Sequence, residues 1–148
     1  MKPLLFLDVD GVINACDPSL DVETIEREGF KIRFQPWLRE CLLELHEHFE
    51  VVWMTTWREK AEPSFADVLG LPGQRAYVPW ADFKIPALLM YACDRPWAFV
   101  DDDATWELEQ LKRRGISVST GLIVVPDAEV GLAREHTHML VAWAEAQC

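Results

Sequence analysis

The chain has 148 residues, half of them hydrophobic and about a quarter charged, enough to bury a sizeable core in one domain. Fourteen basic residues against 25 acidic ones leave a net charge of −11, which repels polyanions at long range and argues against a broad nucleic-acid footprint. The four cysteines, Cys16, Cys41, Cys93 and Cys148, are widely spaced with no Cys-x-x-Cys pair, which speaks against a zinc cluster or a disulfide framework and fits reduced thiols.

Lys2 and the apolar residues after it are interrupted by Asp8, unlike a signal peptide. No stretch approaches the roughly 18 apolar residues of a membrane span, so a cytoplasmic protein with no membrane partner is expected. Leu4 to Leu7, with Val9 beyond, reads as a strand covered on both faces. If that strand persists, Asp8 and Asp10 point the same way, and Gly11 then lets the backbone turn. Two carboxylates so close repel unless a cation or a proton sits between them. Asp-x-Asp-Gly also occurs in calcium loops, but those need flanking helices and a late Glu, whereas apolar residues lie on both sides here.

Ala15 to Gln35 is turn-rich, and Phe30 to Phe34 alternates like one arm of a small hairpin. Pro36 opens a predicted helix to about His48, followed by a second apolar strand, Val51 to Thr56, ending in two hydroxyls. Lys60 to Leu69 reads as a helix stopped by the Gly70-Leu71-Pro72-Gly73 turn. Tyr77 to Phe83 is aromatic and irregular, and Lys84 precedes an apolar helical stretch to about Cys93. Trp97 to Val100 is a third strand ending in Asp101-Asp102-Asp103, and Ala104 to Arg114 is a helix closed by Gly115. Leu122 to Val125 is the last strand, ended by Pro126, and a final helix runs from about Ala133 to Ala146. Strands alternating with helices imply an α/β fold, a three-layer Rossmann-like parallel sheet wrapped on both faces, as a single domain over residues 1–148.

In such sheets ligands bind outside the carboxyl ends of the strands. There this chain places Asp8 and Asp10, Thr55 and Thr56, and Asp101 to Asp103, with Lys84 just upstream of the third strand. Converging carboxylates without a His or Cys pair call for a hard cation, and Mg²⁺ fits best. The set resembles the four motifs of the haloacid dehalogenase-like (HAD) superfamily of phosphohydrolases: Asp8-Val9-Asp10-Gly11, Thr55, Lys84 and Asp101-Asp102, in order and in context over nearly the whole chain. The Trp53-Met54-Thr55-Thr56-Trp57 block and Gly131-Leu132 look similar to the HAD domain of Swiss Army Knife RNA-repair proteins.

The resemblance implies a phosphatase acting through an aspartyl-phosphate on Asp8, with Asp10 as general acid and base. Thr55 and Lys84 would stabilise the phosphoryl group, while Asp101 and Asp102 would hold Mg²⁺ with Asp8 and the backbone carbonyl of Asp10. A region of about residues 15–35 leaves room only for a flap hairpin, so the enzyme would be capless with an open site. The implied partner is a phosphorylated substrate, a nucleotide or a nucleic-acid end, with a small-molecule phosphatase, a phosphotransferase and a non-catalytic HAD-fold binding or regulatory protein as alternatives. Gly11, Asn14, Thr56 and Trp57 are the substrate-contact candidates, Trp57 by stacking on a base. Each has a second reading. Thr56 competes with Thr55, Asn14 also suits a turn, and Asp103 is either a neighbour of the metal ligands or the N-cap of the Ala104 helix. His46/His48 and His136/His138, two apart in predicted helices, share no face and read as surface residues.

Overall fold

Leu4, Leu5, Phe6 and Leu7 are all 0% exposed, so β1 (Leu4–Leu7) has no solvent face and must lie inside a sheet covered on both sides. The computed structural model describes residues 1–148 and places β1 between β4 (Glu50–Trp53) and β5 (Trp97–Val100), parallel to both. A further parallel strand, β6 (Leu122–Val124), completes the order β4-β1-β5-β6. Side-chain alternation divides β1 between two cores. Leu5 and Leu7 join the larger one, built with α1 (Leu38–His48), α2 (Ala61–Phe65) and α5 (Arg134–Ala146). Leu4 and Phe6 join the smaller one, under α3 (Lys84–Ala92) and α4 (Ala104–Arg113). The expected α/β architecture, a parallel sheet flanked by helices on both faces, is what the chain adopts. No helix is long and apolar enough to cross a membrane.

Between β1 and α1 an antiparallel hairpin, β2 (Glu23–Arg27) and β3 (Phe30–Phe34), forms the flap. Glu28 and Gly29, both at positive φ, make its tip. Ile32 and Phe34 point from β3 into the larger core and tie the hairpin down, while Phe30 near the tip stays 64% exposed.

Three local expectations differ from the structure. The first strand ends at Leu7: the Val9 carbonyl accepts the backbone N–H groups of Val12, Ile13 and Asn14, so the chain winds into a turn and Asp8 and Asp10 are not alternate residues of one strand. The helix expected from Lys60 to Leu69 is divided into a 3₁₀ turn (Arg58–Lys60), the short α2 and further turns. His46 is no free surface residue. Its Nε2 lies 3.0 Å from Nη1 of the buried Arg75, a donor only, so Nε2 accepts and Nδ1–H donates to the Leu42 carbonyl at 2.6 Å. The same Arg75 forms a bidentate pair with Glu62, whose Oε1 also accepts from the Trp53 indole N–H, pinning the irregular segment after α2 to β4.

Candidate active site

The strand ends deliver the site. Asp8 follows β1 immediately, is 8% exposed, and its Oδ1 accepts the Val9 N–H at 2.8 Å. Asp101 follows β5, and its Oδ1 accepts the Asp103 N–H at 2.7 Å, so this carboxylate is fixed across the start of α4. Asp102 comes next, half-buried. One carboxylate oxygen from each of Asp8, Asp101 and Asp102 lies within 4.8 Å of the others. Gly11 explains how Asp102 gets so close. Gly11 has φ of +79°, and a Cβ there would sit 2.5 Å from the Asp102 carboxyl carbon.

Lys84 is the first residue of α3, and its ammonium donates to Asp101 Oδ2 at 2.6 Å and lies 3.3 Å from Asp8 Oδ2. Burial pulls the Lys84 pKa down, but Asp8 and Asp101 outweigh it and raise the value, so the group stays an ammonium. One cation among three carboxylates is not enough. Burial, against the opposing pull of Lys84 and together with Asp101 and Asp102, pushes the Asp8 carboxyl up to about 7. Burial together with Asp103 and Asp101 pushes Asp102 up to about 6. Three close, under-compensated carboxylates with hard oxygen donors fit a divalent cation such as Mg²⁺. The side chain of Asp10 stands outside this trio.

Asp10 is held elsewhere. Its Oδ1 accepts from Asn14 Nδ2 at 2.9 Å and its Oδ2 from the Trp57 indole N–H at 3.1 Å. Asn14 in turn accepts the Arg33 N–H of β3 through Oδ1, which links Asp10 to the flap. Asn14 and Trp57 are both largely buried, and each spends a donor on Asp10. Trp57 contributes to the wall of the cleft beside the flap with only 9% of its surface exposed, and its neighbours Phe65 and Phe30 are set edge-on to it. The second strand, expected to reach Thr56, ends at Trp53, so the two threonines stand in the turn beyond it and separate there. Thr55 is buried, and its hydroxyl accepts the Trp57 N–H at 3.3 Å while keeping its own proton to donate; Thr56 is exposed on the cleft wall. Asp103 occupies the N-cap position of α4, but its side chain makes no cap hydrogen bond; its own backbone N–H donates to the Asp101 carboxylate.

Sequence reasoning missed Glu107. It lies on the buried stripe of α4 with Ala104 and Leu111, and its carboxylate accepts the first backbone N–H groups of α3, from Lys84 and, at 2.8 Å, from Ile85. Burial raises its pKa against the lowering effect of those two N–H groups. A lone acid on an otherwise apolar helix face was the available signal.

Two clefts meet at Asp10 and Thr56. One, about 280 Å³, contains the carboxylates and Lys84 and is walled by Trp80 and Trp106. The other, about 390 Å³, runs between the flap tip and the turn after β4, past Phe30, Arg58 and Lys60.

The family model described as "HAD domain in Swiss Army Knife RNA repair proteins" matches residues 4–137. No curated protein matches the chain. Among solved structures, one described as a 3-deoxy-D-manno-octulosonate 8-phosphate phosphatase from Vibrio cholerae is similar at 15% identity and a TM-score of 0.51, over 99% of this chain and 87% of the other. The RNA polymerase II CTD phosphatase Fcp1 of fission yeast aligns at 17% identity and a TM-score of 0.45, over 99% of this chain and 51% of that one. The Vibrio structure shares the fold.

Proposed function

The chain belongs to the family of HAD domains found in Swiss Army Knife RNA repair proteins, and from that premise we propose that it is a Mg²⁺-dependent phosphomonoester hydrolase acting through an aspartyl-phosphate on Asp8. The observation that carries the proposal is the grouping of Asp8, Asp101 and Asp102 around the Lys84 ammonium, with Asp10 fixed beside them by two dedicated donors. A binding scaffold has no need for a second acid so fixed.

In this mechanism an Asp8 oxygen attacks phosphorus, the bond to the leaving oxygen breaks, and Asp10 gives that oxygen its proton. A water molecule then loses a proton to Asp10 and attacks the same phosphorus. The Asp8–phosphorus bond breaks and inorganic phosphate leaves. Lys84 neutralises charge on Asp8 and on the phosphoryl oxygens, and the free hydroxyl proton of Thr55 donates to the phosphoryl group. Asp8, Asp101 and Asp102, with the backbone carbonyl of Asp10, would hold Mg²⁺. When bound it would screen the carboxylates from the phosphate and draw charge from the phosphoryl oxygens.

Hydrolysis of an aryl phosphate with and without Mg²⁺, repeated with Asp8→Asn, tests the reading. Turnover is expected only with metal and only in the wild type. Metal-independent turnover, or full activity in the variant, overturns it.

A further inference from the structure

The cleft beside the flap shows what the leaving group is made of, given the phosphatase reading on which this inference rests. We propose that this cleft takes an uncharged, ring-bearing group, a nucleoside, so that the substrate is a mononucleotide rather than the phosphorylated end of a nucleic-acid chain.

Position identifies the cleft as the leaving-group side. It opens from Asp10, the residue that must protonate the departing oxygen, and lies away from the Asp8, Asp101 and Asp102 oxygens. Its size, about 390 Å³, suits one small-molecule moiety. Phe30 supplies an apolar face: it lines the cleft at 64% exposure, and its ring is braced edge-on at 6.0 Å by the buried Trp57. A large aromatic side chain left bare on a flap anchored by Ile32 and Phe34 presents a fixed stacking surface for a planar ring.

Charge limits the ligand to a single nucleoside. Together the two clefts are lined by nine carboxylates and three cations. Lys84 is held by Asp8 and Asp101, Arg58 lies with its guanidinium 4.5 Å from the Trp80 ring centroid and Nη2 on the Trp80 carbonyl, and Lys60 is an exposed lysine 3.7 Å from Glu28. A continuing nucleic-acid strand brings further phosphates, each of which normally takes a lysine or arginine. Here the cleft beside the flap sets three carboxylates, Asp10, Glu28 and Glu59, against two cations, Arg58 and Lys60, so further phosphates find no net positive wall. The same carboxylates, with Thr56, are acceptors suited to ribose hydroxyls and exocyclic amines.

The test compares kcat/KM, with Mg²⁺, for adenosine 3′- and 5′-monophosphates, glycerol phosphate and 3′- or 5′-phosphorylated dinucleotides. The better mononucleotide should exceed every dinucleotide by about tenfold at low salt, and the gap should narrow as salt screens the repulsion. Phe30→Ala should lower the mononucleotide value about tenfold more than the glycerol phosphate value. A dinucleotide turned over as well as the mononucleotide, or a Phe30→Ala loss shared equally by glycerol phosphate, overturns the proposal. If no phosphomonoester is hydrolysed, the phosphatase reading fails on its own. Calorimetric titration of adenosine and of an unphosphorylated dinucleotide into the wild type and Phe30→Ala then still decides the ligand: adenosine binding that depends on Phe30 supports it, and preference for the dinucleotide sinks it.

Discussion

The Trp57 indole N–H illustrates how much one donor can matter. It and Asn14 fix both oxygens of Asp10, and under the proposed mechanism, in which Asp10 is the general acid, a displacement of about 1 Å costs one to two orders of magnitude in rate. Trp57→Phe keeps an aromatic ring between Phe65 and Phe30 and deletes only that hydrogen bond. The expected result is a kcat reduced about tenfold, with KM little changed and a melting temperature within a few degrees of the wild type. An unchanged kcat would show that Asn14 alone suffices. Asp8, Asp10, Asp101 and Asp102 stood out as candidates in the sequence because acids just past apolar strands have few structural excuses, whereas Lys84, at the start of α3, stood out only through the order of the motifs. The Trp57 contact was not legible: nothing in the sequence shows that its indole N–H is aimed at the Asp10 carboxylate. Nor could spacing along the chain show that a turn follows Leu7, with the Asp10 carboxylate held by Asn14 and Trp57.

Among the elements, α3 and α4 depend on each other at the site. Four backbone N–H groups at a helix start lack partners within the helix, and Glu107 of α4 satisfies those of Lys84 and Ile85 at the start of α3. The anion also suits the positive end of the α3 dipole. This contact fixes where Lys84 leaves the helix and hence the reach of its ammonium to Asp8 and Asp101. Glu107→Gln puts an amide donor against one of two backbone donors, so it should cost about 1–3 kcal/mol of stability in urea melts. It should also lower kcat for an aryl phosphate while Glu107→Asp restores part of it; equal activity in all three proteins would confine Glu107 to stability. Most elements were readable from their periodicity and their glycine or proline stops, as α4 before Gly115 and β6 before Pro126 illustrate. The stretch from Arg58 to Leu69 was not, because its turns are held by distant partners: Arg27 donates to the Ser64 carbonyl, and Arg39 to that of Val68.

For the molecule as a whole, the carboxylate trio is a source of repulsion within the folded state. A cation binding only the folded state should raise the melting temperature, by about 3 °C for each kcal/mol of linkage in a chain this long. Asp102→Asn removes a repelling charge that has no cation hydrogen-bonded to it, so it should raise the metal-free melting temperature and abolish most of the magnesium increment. Asp101→Asn should lose the increment without that gain, because it also breaks the 2.6 Å pair with Lys84. Asp103→Asn, with a side chain that caps nothing, should keep the magnesium response. Melts of the four proteins in EDTA and in magnesium check this; equal shifts in all of them would place the metal elsewhere. The central position of β1 has a further consequence, in the order of assembly. Leu4 pairs with Glu50 on one side and Trp97 on the other, so β1 leaves the ribosome well before either of its neighbours. Until Val100 exists, Leu4 to Leu7 is an apolar segment with an open edge, the kind of intermediate that aggregates. The nascent chain, rather than the finished enzyme, is where this protein should need a chaperone most.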